Sequence, residues 1–156
     1  MPDQEIMNEM IEIYRELNMK LRGMDLLSIK DQKADNGESL QDILQRMRNR
    51  EYNASQAIKF MSLGDDASQV DESANAAVLD ELIATGVTPI IMLSQFGTAR
   101  EATLSLLQQA DDETIDQEIG SPRGKMSIRQ YCRELINADR EDQKMIEQIV
   151  EKAPAS

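Results

Sequence analysis

An all-α protein built from four long helices is the fold class this sequence predicts, and three observations predict it. Apolar residues recur at helical spacing over four long stretches, β-branched alternating runs are few, and scattered glycines punctuate the chain between those stretches. At 156 residues the length suits one domain, which buries roughly 70% of its unfolded surface on folding. No internal repeat divides it. Residues 1–153 therefore read as a single up-and-down four-helix bundle with a long connector between helices 1 and 2 and short extra helices; 154–156 read as a frayed tail.

The first helix runs from about Asp3 to Arg22, with Ile6, Met10, Ile13, Leu17 and Leu21 on one stripe and Gly23 placed to stop it. Asp25 to Glu38 is a polar connector with a small apolar cluster of Leu26, Leu27 and Ile29. Ser39-x-x-Asp42 resembles a capping box and opens the second helix, which carries Leu40, Ile43, Leu44, Met47, Ala54, Ile58 and Met61 inward and ends near Gly64. Asp65, Asp66, Asp71 and Glu72 then read as a solvated loop, and Ser73 to Ala84 as a short helix. Thr88-Pro89, a capping residue followed by a proline suited to the first helical position, opens a third long helix to about Gln109. Asp111 to Glu118 forms one or two turns, Gly120 to Gly124 reads as a loop, and Ser127-x-x-Gln130 caps a fourth helix to about Lys152.

Composition excludes many functions. There is no histidine, which removes Ser-His-Asp and Cys-His catalysis, His-ligated zinc or iron, and the Glu-x-x-His pairs of di-iron bundles. The seven glycines form no phosphate-binding loop. A net charge of −12 repels phosphate backbones and anionic lipid, so neither nucleic acid nor a membrane surface is expected as a partner. No apolar run approaches the ~20 residues that span a bilayer, no secretory signal is recognisable, and the single Cys132 has no internal partner. A cytoplasmic location is the expectation.

Charged residues interrupt three of the apolar stripes. At about 100° per residue, Glu51 falls between Met47 and Ala54, Arg100 falls in the stripe of Leu93, Phe96, Leu104 and Leu107, and Asp139 and Asp142 fall in that of Tyr131, Leu135, Ile146 and Ile149. Each lies about 11 to 15 residues from its helix start, so all four reach similar depth in a bundle. An arginine among acids is what buried charges require. The cluster reads as a structural ion pair, as a polar pocket for a small ligand, or as a carboxylate site for a hard cation such as Mg, Mn or Ca, against which Arg100 competes.

The stretch from Ser39 to Glu51, the segment Phe96-Gly97-Thr98-Ala99-Arg100-Glu101, the approach to Met126-Ser127-Ile128, and Ala138-Asp139-Arg140-Glu141-Asp142 together resemble the DinB-like superfamily of four-helix metalloenzymes, over most of the chain. The resemblance implies a metal triad of one histidine on the second helix and an i, i+4 pair on the fourth, serving thiol-dependent transferases and isomerases. Those positions read Arg46, Ala138 and Asp142 here. Alanine cannot ligate and arginine repels a cation, so the metal is not carried over. The expectation is a non-catalytic protein without a cofactor, binding at most a small molecule. The alternative is a transferase or hydrolase using rearranged carboxylate ligands and a divalent cation such as Mn or Mg.

Ten methionines invite a groove for varied partners, but Met10, Met47, Met61 and Met145 sit on or beside core stripes and read as packing. Cys132, on an apolar face among acids, lacks the basic surroundings of a reactive thiol. Arg46, Arg48 and Arg50 read as a solvated helix flank. The resemblance implies association through helix faces, and the methionines and the apolar first helix could supply one, so a homodimer is the expected assembly.

Overall fold

Ser39 and Ser127 fix where the two longest helices begin. Each side chain accepts a hydrogen bond from the backbone N–H three residues on, at 3.1 Å, while Asp42 and Gln130 accept from the cap residue's own N–H. In each pair two backbone donors that the helix cannot use are satisfied locally. The computed structural model describes residues 4–75 and 88–153. Among these the elements are α1 (Gln4–Leu21), α2 (Leu26–Ile29), α3 (Leu40–Ser62), α4 (Pro89–Gln109), α5 (Asp112–Ile115), β1 (Ile119–Ser121), β2 (Gly124–Met126) and α6 (Ile128–Lys152). The protein is mostly helical. Pro89 occupies the first turn of α4, whereas the Thr88 side chain makes no capping bond.

The stripe residues of all four long helices form one core: Ile6, Met10, Ile13, Leu17 and Leu21 from α1, Leu40 to Met61 from α3, Leu93, Phe96 and Leu107 from α4, and Tyr131, Leu135, Ile146 and Ile149 from α6. Each fully buried aliphatic chain contributes about 1.5–3 kcal/mol relative to exposure. Leu104 is half-buried at the margin, and Leu27 points outward at 59% exposure instead of joining Leu26 and Ile29. Met10, Met47 and Met61 are buried, with Met145 packed against them, as is Cys132.

The long helices contact one another in a ring, α1 to α4, α4 to α3, α3 to α6 and α6 back to α1. Their directions differ from the expected up-and-down order. Arg48 meets Gln95 and Glu51 meets Arg100, so α3 and α4 run parallel; Glu16 meets Gln143 and Lys20 meets Glu147, so α1 and α6 do as well. Arg46 meets Asp142 while Arg50 meets Asp139, which makes α3 and α6 antiparallel. The stretch between α3 and α4 is long enough to return the chain to the starting end of the bundle, a freedom that helical periodicity does not reveal.

Gly97 of α4 leaves room for a side chain of α1: a Cβ there would lie 2.3 Å from the Tyr14 ring, which itself packs on Phe96 at 5.9 Å between centroids.

The segment read as a loop at 120–124 is instead a hairpin. Ile119 pairs with Met126 and Ser121 with Gly124, and Gly124 takes φ +108°, a conformation open to glycine. Ser121 Oγ closes the turn by donating to the Gly124 carbonyl at 2.6 Å. Ala67 N–H donates to the Gly120 carbonyl at 2.8 Å, tying the acidic loop to this hairpin. Residues 73–75 are not helical; the remainder of the expected short helix, to Ala84, lies outside the described residues, as does the 154–156 tail. No helix among the described residues is long and apolar enough to cross a membrane.

Candidate functional site

The four charges expected to face inward do so, at one level of the bundle. Glu51 is 1% exposed, Arg100 1%, Asp139 1% and Asp142 4%. Arg100 donates through Nε and Nη2 to the two oxygens of Glu51 at 2.9 and 2.8 Å, a bidentate fork, and also reaches Asp139 Oδ2. Its remaining Nη1 donates to the Met10 carbonyl of α1 at 3.0 Å, and the guanidinium carbon lies 5.0 Å from the Phe96 ring centroid. One side chain of α4 therefore binds all three other long helices.

Asp142 does not touch Arg100. It is joined to the cluster through Arg50, whose Nη2 donates to Asp139 Oδ1 at 2.8 Å and to Asp142 Oδ2 at 2.6 Å, and it accepts from Arg46 Nη2 on Oδ1 at 2.6 Å. Arg46 also pairs with Glu38 at the rim. The basic run of α3 is thus not a solvated flank: Arg48 is fully buried, Arg50 is 8% exposed, and only the Arg46 side chain, 37% exposed, reaches solvent. Arg48 turns the other way and donates to Asn49 Oδ1 and Gln95 Oε1. One signal for Arg50 was present in the sequence. Three inward acids facing one inward arginine leave two negative charges, and a buried surplus of that size demands further cations nearby.

The arithmetic of the network closes. Glu51, Asp139 and Asp142 offer six carboxylate oxygens, and each accepts an arginine N–H. Burial disfavours the Arg100 charge, yet Glu51 and then Asp139 outweigh it and hold the guanidinium above its ordinary value. Arg50 follows the same pattern, burial being overcome by Asp139 and Asp142, and so does Arg46, with Asp142 and Glu38. The hydrogen bond from Arg46 in turn lowers the Glu38 carboxyl.

These residues do not fit a metal. A divalent ion needs carboxylate lone pairs, and here guanidinium groups interleave the carboxylates, so an incoming cation would displace arginines that have nowhere else to neutralise. Among the described residues no group of three His, Cys, Asp or Glu side chains is placed to hold a metal ion. Of the three positions that the resemblance would assign to metal ligands, Arg46 and Asp142 form an ion pair and Ala138 lies half-buried one turn before Asp142.

A second polar cluster, which no local pattern announces, covers the end of the network. Glu72, expected in a solvated loop, accepts from the buried Tyr131 hydroxyl at 2.7 Å and from Arg123 Nη2 and Nε at 2.8 and 3.0 Å. Asn53 of α3 donates to the Glu72 and Ala74 carbonyls at 3.1 and 2.8 Å, strapping the loop down. Burial first, and then the adjacent Glu72 carboxylate, push the Tyr131 phenol far above its ordinary value. A phenol raised in the folded state contributes stability that is complete below its unfolded value of about 10 and disappears as pH rises beyond it. Tyr131→Phe is therefore expected to cost about 1–3 kcal/mol at neutral pH in urea unfolding, and to remove a tyrosinate absorbance step that in the parent protein accompanies alkaline unfolding.

A hollow of about 380 Å³ lies away from the ions, on the outer face between α3 and α4, lined by residues including Tyr52, Gln56, Ser94 and Thr98. The polar pocket expected in mid-bundle is filled by the Arg50 and Arg100 side chains. No protein-family model, curated protein or solved structure matches the chain.

Proposed function

We propose that this chain is a non-catalytic, DinB-like helical-bundle protein in which a guanidinium–carboxylate network stands where the resemblance implies a metal centre. The observation that carries the reading is the 2.6 Å Arg46–Asp142 ion pair: two positions matched to metal ligands, on different helices, face each other with an arginine supplying the positive charge. Arginine stays protonated at neutral pH, so it offers neither a general base nor a ready general acid. Every oxygen of the three buried carboxylates is already engaged, so none of these three acids is free to take a proton from a substrate. The role we assign is binding or scaffolding in a reducing cytoplasm, where buried Cys132 stays a thiol. A small ligand has no room among the ions, where the Arg50 and Arg100 side chains fill the centre of the bundle.

Metal content tests this directly. Untagged protein is expected to contain no stoichiometric metal by mass spectrometry, and its melting temperature to be the same with Mn, Zn, Ni or EDTA. One tightly held equivalent and a large fall in melting temperature with chelator would instead establish a metal-dependent transferase or hydrolase built on Glu51, Asp139 and Asp142.

A further inference from the structure

We propose that Arg123 and Tyr131 form a binding site for a carboxylate anion, which the protein's own Glu72 occupies as a tethered ligand and from which an external carboxylate can displace it. The geometry is that of a ligand in a receptor. Arg123 Nη2 donates to Glu72 Oε1 at 2.8 Å, while Arg123 Nε and the Tyr131 hydroxyl donate to Oε2 at 3.0 and 2.7 Å. The Glu72 side chain is only 15% exposed, although it belongs to a loop rich in acids. A guanidinium fork and a hydroxyl converging on one point match a planar anion with two oxygens.

Receptor and occupant come from different parts of the fold. Arg123 stands in the turn between β1 and β2, where its backbone N–H donates to Ser121 Oγ at 3.1 Å, and Tyr131 is wholly buried on α6. Those bonds and that packing do not involve Glu72. Glu72 itself is carried on residues 63–75, which form neither helix nor strand, and such a loop opens at lower free energy than the core beneath it. Its departure leaves a demand that only an anion meets. The buried Tyr131 hydroxyl loses its acceptor, and among the described residues Arg123 keeps as its carboxylate partner only the exposed Glu134, 3.8 Å away. A buried donor without an acceptor and a half-buried cation without a close counter-charge both favour refilling of the site. Tethering sets the terms of exchange. A group on a short loop acts at an effective concentration in the millimolar range, so an external carboxylate competes once it is similarly abundant, and its entry frees the loop that covers the end of the ion network.

Glu72→Ala tests the site, because the substitution removes a methylene and a carboxylate, the heavy atoms of acetate. The melting temperature of this variant is expected to be about 5 °C higher in about 100 mM sodium acetate than in sodium chloride at the same concentration, the shift of a ligand present well above a millimolar dissociation constant. Glu72→Gln, whose amide fills the same space, should show no such difference. Neither should Glu72→Ala combined with Arg123→Gln, which lacks the fork. The unaltered protein supplies a second measurement, which decides alone if Glu72→Ala fails to fold. Hydrogen exchange at the Ala67 and Val70 amides, both bonded in the closed loop, should be at least tenfold faster in about 300 mM acetate than in chloride at equal pH, since acetate captures the receptor whenever the loop opens. A folded Glu72→Ala that acetate does not stabilise, a stabilisation that survives Arg123→Gln, or loop amides indifferent to acetate would overturn the proposal. None of these outcomes bears on the metal measurement, so the two readings fail separately.

Discussion

Arg100→Leu is expected to lower the unfolding free energy by about 3–5 kcal/mol, the cost of leaving buried charges without their partner. For a domain of this size that corresponds to a fall in melting temperature on the order of 10 °C. The loss is large because one guanidinium serves three helices: it forks to Glu51 of α3, reaches Asp139 of α6 and donates to the Met10 carbonyl of α1. In the variant Glu51 has no cation left, while Asp139 keeps only Arg50. Replacing the group as a whole is a different matter. Glu51→Leu, Arg100→Met and Asp139→Leu together remove one positive and two negative charges from the centre and leave Arg50 with Asp142, Arg46 with Glu38 and Asp142. Well-packed apolar substitutes for a buried ion cluster are often neutral or stabilising. The triple variant should therefore recover most of what Arg100→Leu loses. A triple variant as unstable as the single one would show that these charges contribute beyond mutual neutralisation.

The same cluster marks the boundary between what local pattern discloses and what it does not. Glu51, Arg100, Asp139 and Asp142 are legible because helical period fixes direction: a charge on an apolar stripe must face the core, and equal distances from marked helix starts bring it to the same depth. Ser39 and Ser127 are legible for a similar reason, since a capping box is contained in four residues. Arg50 is harder. It lies to one side of the stripe, and a long side chain can carry its charge several ångströms around the helix to Asp139 and Asp142, a reach that the wheel position of its Cα does not express. Glu72 is beyond such reasoning altogether, because its partners, Tyr131 and Arg123, come from the far end of the chain. An acid between loop residues looks solvated until the fold supplies a phenol and a guanidinium. The parallel course of α3 and α4 escapes for the same cause: periodicity determines which face of a helix is buried and says nothing of which way the helix runs.

Arg46→His, Ala138→His and Asp142→His in one chain should convert the network into a metal centre, the second large effect expected. The charge balance permits it. The substitutions remove one cation and one anion from the centre and leave Arg50 and Arg100 facing Glu51 and Asp139, two against two, while Glu38 at the rim loses its partner to solvent at small cost. Geometry favours it as well. Positions 138 and 142 are one helical turn apart on α6, and position 46 of α3 already touches position 142, so three imidazoles would converge from two helices with a coordination position left open to water. The variant is expected to bind one equivalent of zinc or nickel by mass spectrometry. Its melting temperature should rise with metal by an amount corresponding to about 4 kcal/mol when the free ion is present at 1,000 times its dissociation constant, and fall again with EDTA. The parent protein should show neither change. Absence of binding in a folded triple variant would mean that the three positions do not converge, and with that the correspondence between Arg46, Ala138, Asp142 and a metal triad would fall. Stoichiometric binding would instead trace the difference between this chain and a metalloprotein of the DinB-like type to three side chains on an otherwise competent scaffold.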